Sequence, residues 1–357
     1  MKTLRRLAKA LPILLACGLL TSPAVAAPLS GHERFALQLF ERLVKDKPNE
    51  NLFLSPNSVY TALAMTWAGA RRQTATEMSR VLGIEGTPDA FHQAMKGSLA
   101  ALQASRGVKI SIANALFMHT GYKFLDAFVG LVEKNYHSTS ERVSFLDPEA
   151  ARKRINRWVV KKTHGLINEL IPAGVLQPTT RLVLTNAIAF DGKWKTRFDK
   201  DRTAPLPFQT PGGTSVTVPM MTIKAKFPFS SQPSFKLLSL PYTGDAVSMV
   251  VLLPTRRSSL AALRAQLTAK RLAAWLGQLH TTEVDVRLPR FSTSSFRKLK
   301  SVLKALGMPL AFSDNADFSG LTGKTELKIQ EVLHKAFIEV SEAGTKAGAS
   351  TAVLIGR

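Results

Sequence analysis

Hydrophobic and polar positions alternate along the stretch that begins at Glu331. Val332, Ala336, Ile338 and Val340 share one parity, with Lys335, Phe337 and Glu339 on the other. A period of two places one such set on the buried face of a strand. The alternation stops at Glu342. Ala343 and Gly344 follow, a natural hinge, because glycine accepts backbone angles that other residues resist. Beyond it stand Thr345, Ala347, Gly348, Ala349, Ser350, Thr351 and Ala352, nearly all small, with Lys346 the only charge before Arg357. Two readings are open. One is a flexible terminal tail. The other is a loop built to become a strand, with Thr345, Ala347, Ala349, Thr351 and Val353 facing one way and Lys346, Gly348, Ser350 and Ala352 the other. A segment that slides between existing strands needs small side chains, and this one has them.

Elsewhere the pattern predicts a mixed order of elements. Ser30 to Lys45 has helical spacing, with Phe35, Leu39 and Leu43 on one stripe. Asn51–Leu54 reads as a short strand. Ser55 fits an N-cap and Pro56 a first helical turn for the apolar run Val59–Met65. Gly107–Met118 reads as a strand, Ala151–Ile171 as a helix with Ile155, Trp158, Val159 and Leu166 inward, and Arg181–Phe190 as a buried strand containing Asn186. Several strands lie between Pro205 and Leu253, broken by Pro-Gly-Gly and Thr-Gly-Asp turns. Leu260–Leu279 is predicted helical, Val284–Phe291 a strand, Phe296–Leu306 a helix and Phe312–Leu321 a loop.

The 357 residues, 45% of them hydrophobic, suffice for a large core. Residues 1–27 read as a secretory signal: Lys2, Arg5, Arg6 and Lys9 are positive, Leu11–Leu20 is apolar but too short to span a bilayer, and Ala24-Val25-Ala26 fits a cleavage site. A lipoprotein signal at Cys17 is the alternative. The expected location is therefore secreted or periplasmic, with no membrane span. Cys17 is the only cysteine, so the mature chain holds no disulfide and no thiolate nucleophile. Formal charge is +23, and removal of residues 1–26 leaves +19, which favours association with polyanions. Arg152, Lys153, Arg154, Arg157, Lys161 and Lys162 form either a solvated helical face or an anion-binding patch. A second basic cluster, Lys193, Lys195, Arg197, Lys200 and Arg202, surrounds Trp194. There is no Gly-x-Ser-x-Gly elbow, His-Glu-x-x-His, P-loop or Rossmann fingerprint. The expectation is a protein that is not an enzyme and uses neither metal nor cofactor.

Several runs resemble the serpin family. They are Asn51 to Ala70 followed by Thr74–Leu82, Asn114-Ala115-Leu116-Phe117, Ile155-Asn156-Arg157-Trp158-Val159 with Thr163-His164-Gly165-Leu166-Ile167, Thr185-Asn186-Ala187-Ile188 through Lys193-Trp194, Asp317-Phe318-Ser319-Gly320, and Glu342-Ala343-Gly344-Thr345 after a strand carrying His334. They occur in family order over residues 30 to 357. The resemblance, to a bacterial-type secreted member, implies an α+β domain over residues 28–357 with three β-sheets and about nine helices.

It also implies a function. A target serine or cysteine protease would attack an exposed loop, and the cleaved loop would insert into the central sheet and disable the enzyme. The resemblance assigns the hinge to Glu342, Ala343, Gly344 and Thr345, with Ala347, Gly348, Ala349 and Ser350 as the insertable small residues. Ser55, Ser58, Asn186 and His334 match a polar cluster under the parting strands, expected to hydrogen-bond one another, and Trp194 marks where insertion begins. Ile355, Gly356 and Arg357 fall near the scissile bond. The family continues for roughly 40 residues beyond its loop, so the sequence reads as truncated within it, and residues 28–357 alone are expected to lack the stability of an inhibitor. The competing expectations are a non-inhibitory relative binding anionic polymer and an inactive truncated one. A monomer without sequence-specific nucleic-acid binding is expected in each case.

Overall fold

The computed structural model describes residues 8–9, 31–48, 50–210, 213–255 and 259–357. The expected signal segment, with Cys17, therefore lies outside the described residues, apart from the two-residue strand β1 (Ala8–Lys9). The described helices are α1 (Gly31–Asp46), α2 (Pro56–Trp67), α3 (Arg72–Leu82), α4 (Pro88–Gln103), α5 (Asp126–Tyr136), α6 (Pro148–Lys162), α7 (Leu260–Gln266), α8 (Ala269–Leu276), α9 (Lys300–Leu306) and the single turn α10 (Ser319–Thr322). The strands are β2 (Val108–His119), β3 (Ser138–Val143), β4 (Thr180–Lys193), β5 (Ala204–Gln209), β6 (Ser215–Ser231), β7 (Phe235–Pro241), β8 (Ser248–Pro254), β9 (His280–Pro289), β10 (Phe291–Lys298), β11 (Lys328–Ser341) and β12 (Gly344–Gly356).

Local chemistry explains the helix starts. The Ser55 side chain accepts the Ser58 N–H, and Pro56 follows it. Asp147 accepts the Ala150 N–H, and Pro148 follows it. Each cap satisfies one of the backbone donors that a helix start leaves open. The α1 stripe of Phe35, Leu39 and Leu43 is buried as its spacing requires. Every residue of α2 from Ser58 to Trp67 is buried, so this helix lies inside the molecule.

Six strands form the main sheet in the order β10-β11-β12-β4-β2-β3. All neighbours are antiparallel except β2 and β3. The second sheet runs β1-β5-β6-β7-β8, with β9 also on β6. The described residues thus form two sheets instead of the expected three. The reason is β6, a continuous strand of 17 residues. Its long first part pairs with β5 and β9, and its end, Phe229–Ser231, pairs with β7.

Other differences from the sequence expectations are local. Asn51–Leu54 is irregular, and the predicted helix at Phe296 begins only at Lys300, because Phe296–Lys298 pair with β11. The stretch Leu260–Leu279 is two helices, since Thr268 turns extended and caps α8 by accepting the Arg271 N–H. The helix from Ala151 stops at Lys162, where His164 and Gly165 take positive φ angles. Phe312–Leu321 includes the start of α10.

At the end, the structure decides between the two open readings. Residues 344–356 are a strand, not a terminal tail or an exposed loop. They are β12, fully paired between β11 and β4. Its Ala347 and Ala349 enter the core between the two sheets, with Trp194, Tyr242 and Met221. Val353 and Ile355 join the core around α1 and α2. Ala352 and Leu354 join the core beneath α6. A strand covered on both faces has little room, and Gly348 shows it: a Cβ there would sit 2.7 Å from the Leu166 Cβ. Overpacking of this kind costs about 1–3 kcal/mol. Gly348→Val should therefore lower the urea stability of the chain by about that amount, read from the unfolding midpoint.

Candidate functional site

The site is the slot that β12 fills. At its upper end, the two residues Glu342 and Ala343 link Ser341 to Gly344, which face each other across the β11–β12 ladder. The turn is held from outside: the Trp194 N–H donates to the Ala343 carbonyl at 3.1 Å and the Phe198 N–H to the Glu342 carbonyl at 3.2 Å. A Cβ at Gly344 would collide with the Gly192 carbonyl oxygen, so glycine is required by close backbone approach.

The Glu342 side chain is buried. It accepts a 2.8 Å hydrogen bond from Thr203 and faces Arg290 at 3.5 Å. Burial pushes its carboxyl pKa up, but hydrogen bonds from its own backbone and Thr203, with Arg290 and Lys200 nearby, outweigh this and leave it lowered. The Trp194 indole N–H donates to the Ser341 carbonyl at 2.8 Å, and its ring stacks on Tyr242 at 4.6 Å. The Tyr242 hydroxyl in turn donates to Thr345 Oγ1 at 2.8 Å. Trp194, Tyr242 and Thr345 thus form one buried contact over the first residues of the strand.

Midway down the slot a polar row crosses the sheet. His334 on β11, Thr351 on β12, Asn186 on β4 and Asn114 on β2 stand opposite one another in register. His334 Nε2 accepts the Ser55 N–H at 3.1 Å, which fixes the proton on Nδ1. Nδ1 then donates to Thr351 Oγ1 at 2.8 Å, and the Thr351 and Ser58 hydroxyls share a hydrogen bond at 3.0 Å. Asn186 Nδ2 donates to Asn114 Oδ1 at 2.9 Å, and Asn114 Nδ2 to the Tyr136 carbonyl at 2.7 Å. The Ser350 hydroxyl donates to the Asn186 carbonyl at 2.8 Å.

The four residues that the resemblance groups are therefore close, but they do not all hydrogen-bond one another. Ser55 meets His334 through its backbone N–H, Ser58 meets Thr351, and the Asn186 side chain turns to Asn114. The inserted strand places Thr351 between His334 and Asn186. Thr351, Asn114 and Tyr242 were not in the sequence grouping. Thr351 shares parity with Thr345, but only the register of β12 against β11 shows that it meets His334.

The basic row on α6 is divided. Arg152 is gripped by Glu149 at 2.7 Å and Glu169 at 2.6 Å, and Arg154 by Glu141 at 2.8 Å, while Lys153 lies 3.8 Å from Glu149. Arg157 and Lys161 are exposed, and Lys162 lies over the Trp158 ring. An anion would meet a helix already carrying its own carboxylates. Near Trp194, Lys195 is likewise paired, with Asp245 at 2.6 Å. Among the described residues no helix is long and apolar enough to cross a membrane, and no group of acidic, histidine or cysteine side chains has the arrangement of a metal site.

The serpin family model, described as serine protease inhibitor, matches residues 30–357. This chain belongs to the serpin family. It is 38% identical over 335 residues to the leukocyte elastase inhibitor of Bos taurus, covering 91% of this chain and 88% of that protein. It is 36% identical over 342 residues to Serpin B3 of Homo sapiens, covering 90% and 87%. Among solved structures it is similar to cleaved Serpin 42Da, with a TM-score of 0.87 and 36% identity over 92% of this chain and 89% of that one. The serpin fold accounts for the α+β architecture, and the family is one of inhibitors rather than enzymes.

The burial of His334 makes the stability of this fold depend on pH. Burial pushes the His334 pKa down from 6.5 to about 4, and a backbone contact at Ser350 offsets this only in part. The unfolded chain takes up this proton near 6.5, whereas the folded chain resists until about 4. The contribution is therefore intact above pH 6.5 and is lost as pH falls through that window, on the order of 3 kcal/mol in all. His92, also buried and lowered to about 4, adds a parallel loss. The difference between the unmutated serpin and His334→Gln isolates the first term: stability measured by urea from pH 7 to 4 should fall less steeply in the variant.

Proposed function

We propose that this serpin inhibits serine proteases as a suicide substrate, with residues 342–357 as the reactive loop. Cleavage frees the loop, which enters the slot between β11 and β4 and carries the acylated protease with it. The observation that supports the reading is the 13-residue strand β12, seated at full length with hydrogen-bonded neighbours on both sides. Backbone hydrogen bonds contribute about 1 kcal/mol net each, so a new central strand supplies on the order of ten kcal/mol before its apolar burial is added. A catalytic geometry that tolerates little displacement does not survive such a pull.

In this reading Gly344 and Thr345 are the hinge, and Ala347 to Ser350 are small because both faces of the strand become buried. Trp194 and Tyr242 receive Thr345, the first side chain to enter. Ser55, Ser58, Asn186 and His334 border the opening, and Thr351 completes their hydrogen bonds on arrival. The residues near the cleavage point, Ile355 and Gly356, end at the foot of the sheet. Export of the protein through residues 1–27, to a secreted or periplasmic location, belongs to the same proposal.

The test is an incubation of the intact protein with a panel of serine proteases. The unmutated protein should give a complex that survives SDS. Thr345→Arg would bury a charge beside Tyr242, and the cost of burying an unpaired charge should reduce complex formation by at least about tenfold while leaving the loop cleavable. Absence of any complex from the unmutated protein, or equal complex from the variant, would overturn the proposal.

A further inference from the structure

The foot of the slot is built around Gly356 and Arg357. Gly356 is buried, and a Cβ there would run into the Gln330 side chain and the Thr179 carbonyl oxygen. Gln330 is placed there by an irregularity in the β11 ladder: Ile329 pairs with Ile355 and Glu331 with Leu354, so Gln330 is extruded between them. Its amide spans the end of the strand. Nε2 donates to Thr179 Oγ1 at 3.2 Å and to the Arg357 carbonyl at 3.5 Å, and Oε1 accepts from the Thr180 hydroxyl at 3.0 Å.

The Arg357 side chain then has a prepared partner. Its guanidinium lies 3.1 Å from Glu326 Oε2, and the other oxygen of that carboxylate accepts a hydrogen bond from the Tyr122 hydroxyl. Tyr122 is itself fixed. The Arg142 guanidinium donates to its carbonyl at 2.9 Å, and the Arg181 guanidinium lies 5.6 Å from its ring centre. Glu326 therefore meets Arg357 directly, while Tyr122 holds Glu326 and Arg181 packs on Tyr122, so three separate segments build the partner of this one residue. The carboxylate is held in the ionised form, chiefly by the Tyr122 hydrogen bond, which outweighs partial burial.

We propose that Glu326, Tyr122 and Gln330 form a subsite that reads the distal end of the inserted strand, selecting glycine at 356 and a basic side chain at 357 and so fixing the depth of insertion. The inference rests on the insertion mechanism of the preceding subsection and adds a specificity to it. A loop with Gly-Arg at 356–357 seats through both positions. A loop with an acidic or bulky end stops short, because a carboxylate would face Glu326 and a Cβ at 356 would displace Gln330.

The test is hydrogen–deuterium exchange on the full protein after its loop has been cleaved by a protease, read separately over residues 345–349 and 353–357. Arg357→Ala and Glu326→Gln, the latter still able to accept from Tyr122, should each speed exchange over 353–357 by about two- to fivefold, the scale of a partly exposed ion pair. Residues 345–349 should not change. The double variant should be no faster than either single one, because both changes remove the same contact, and Arg357→Lys should restore much of the protection. Additive effects, or no effect of Arg357→Ala, would overturn the subsite while leaving insertion intact. Free exchange over 345–349 in the cleaved, unmutated protein would instead overturn insertion itself, and the subsite with it.

Discussion

Everything in this molecule turns on one strand being covered on both faces and paired on both edges. β12 touches three separate cores: the space between the sheets, the packing around α1 and α2, and the layer under α6. A position of that kind admits no large side chain along its first half. Thr345, Ala347, Gly348, Ala349 and Ser350 obey this limit, and Lys346, the one charge in the run, is the one residue of the strand left exposed. Farther down, where the slot widens toward the core, Val353, Leu354 and Ile355 fill it.

Pairing on both edges has a polar consequence. A strand inserted between two others must leave no buried hydrogen-bonding group unmatched, since each such group costs about as much as a hydrogen bond contributes. The row His334, Thr351, Asn186 and Asn114 meets most of this demand, in two separate sets of hydrogen bonds, and leaves Asn186 Oδ1 buried without a partner. The direction of the His334–Thr351 hydrogen bond is set by one backbone group, the Ser55 N–H, because that donor forces His334 Nε2 to accept. The N-cap of α2 thereby acts twice: its side chain starts the helix and its backbone fixes the tautomer of the histidine in the sheet. Protonation of His334 would remove the acceptor from the Ser55 N–H, so the same hydrogen bond that orders the row also makes it sensitive to acid.

The alternating parity of β11 was legible from residue types alone, and so were the caps of α2 and the stripe of α1, because these depend on near neighbours in the chain. The family motifs placed Ser55, Ser58, Asn186 and His334 in one region. They did not show that Asn186 turns to Asn114, nor that Thr351 is the hub, because those contacts depend on the register between strands far apart in sequence. The division of Leu260–Leu279 into two helices was missed for a different reason: both halves keep helical periodicity, and the break comes from one capping threonine. The joining of two expected sheets by β6 depends on which strands pair with its two ends, and no local pattern reports that.

By itself, then, the sequence determined the composition of the segment: small residues after a glycine hinge, with one charge on the face opposite Thr345, Ala347 and Ala349. It also determined that the segment could extend as a strand, since alternation and small size are properties of the chain. Only the tertiary structure decided that the segment lies inside the sheet rather than on the surface. That outcome depends on the pairing with β11 and β4, on the space beneath α6, and on partners such as Tyr242, Gln330 and Glu326 that the fold brings to the slot from distant parts of the chain.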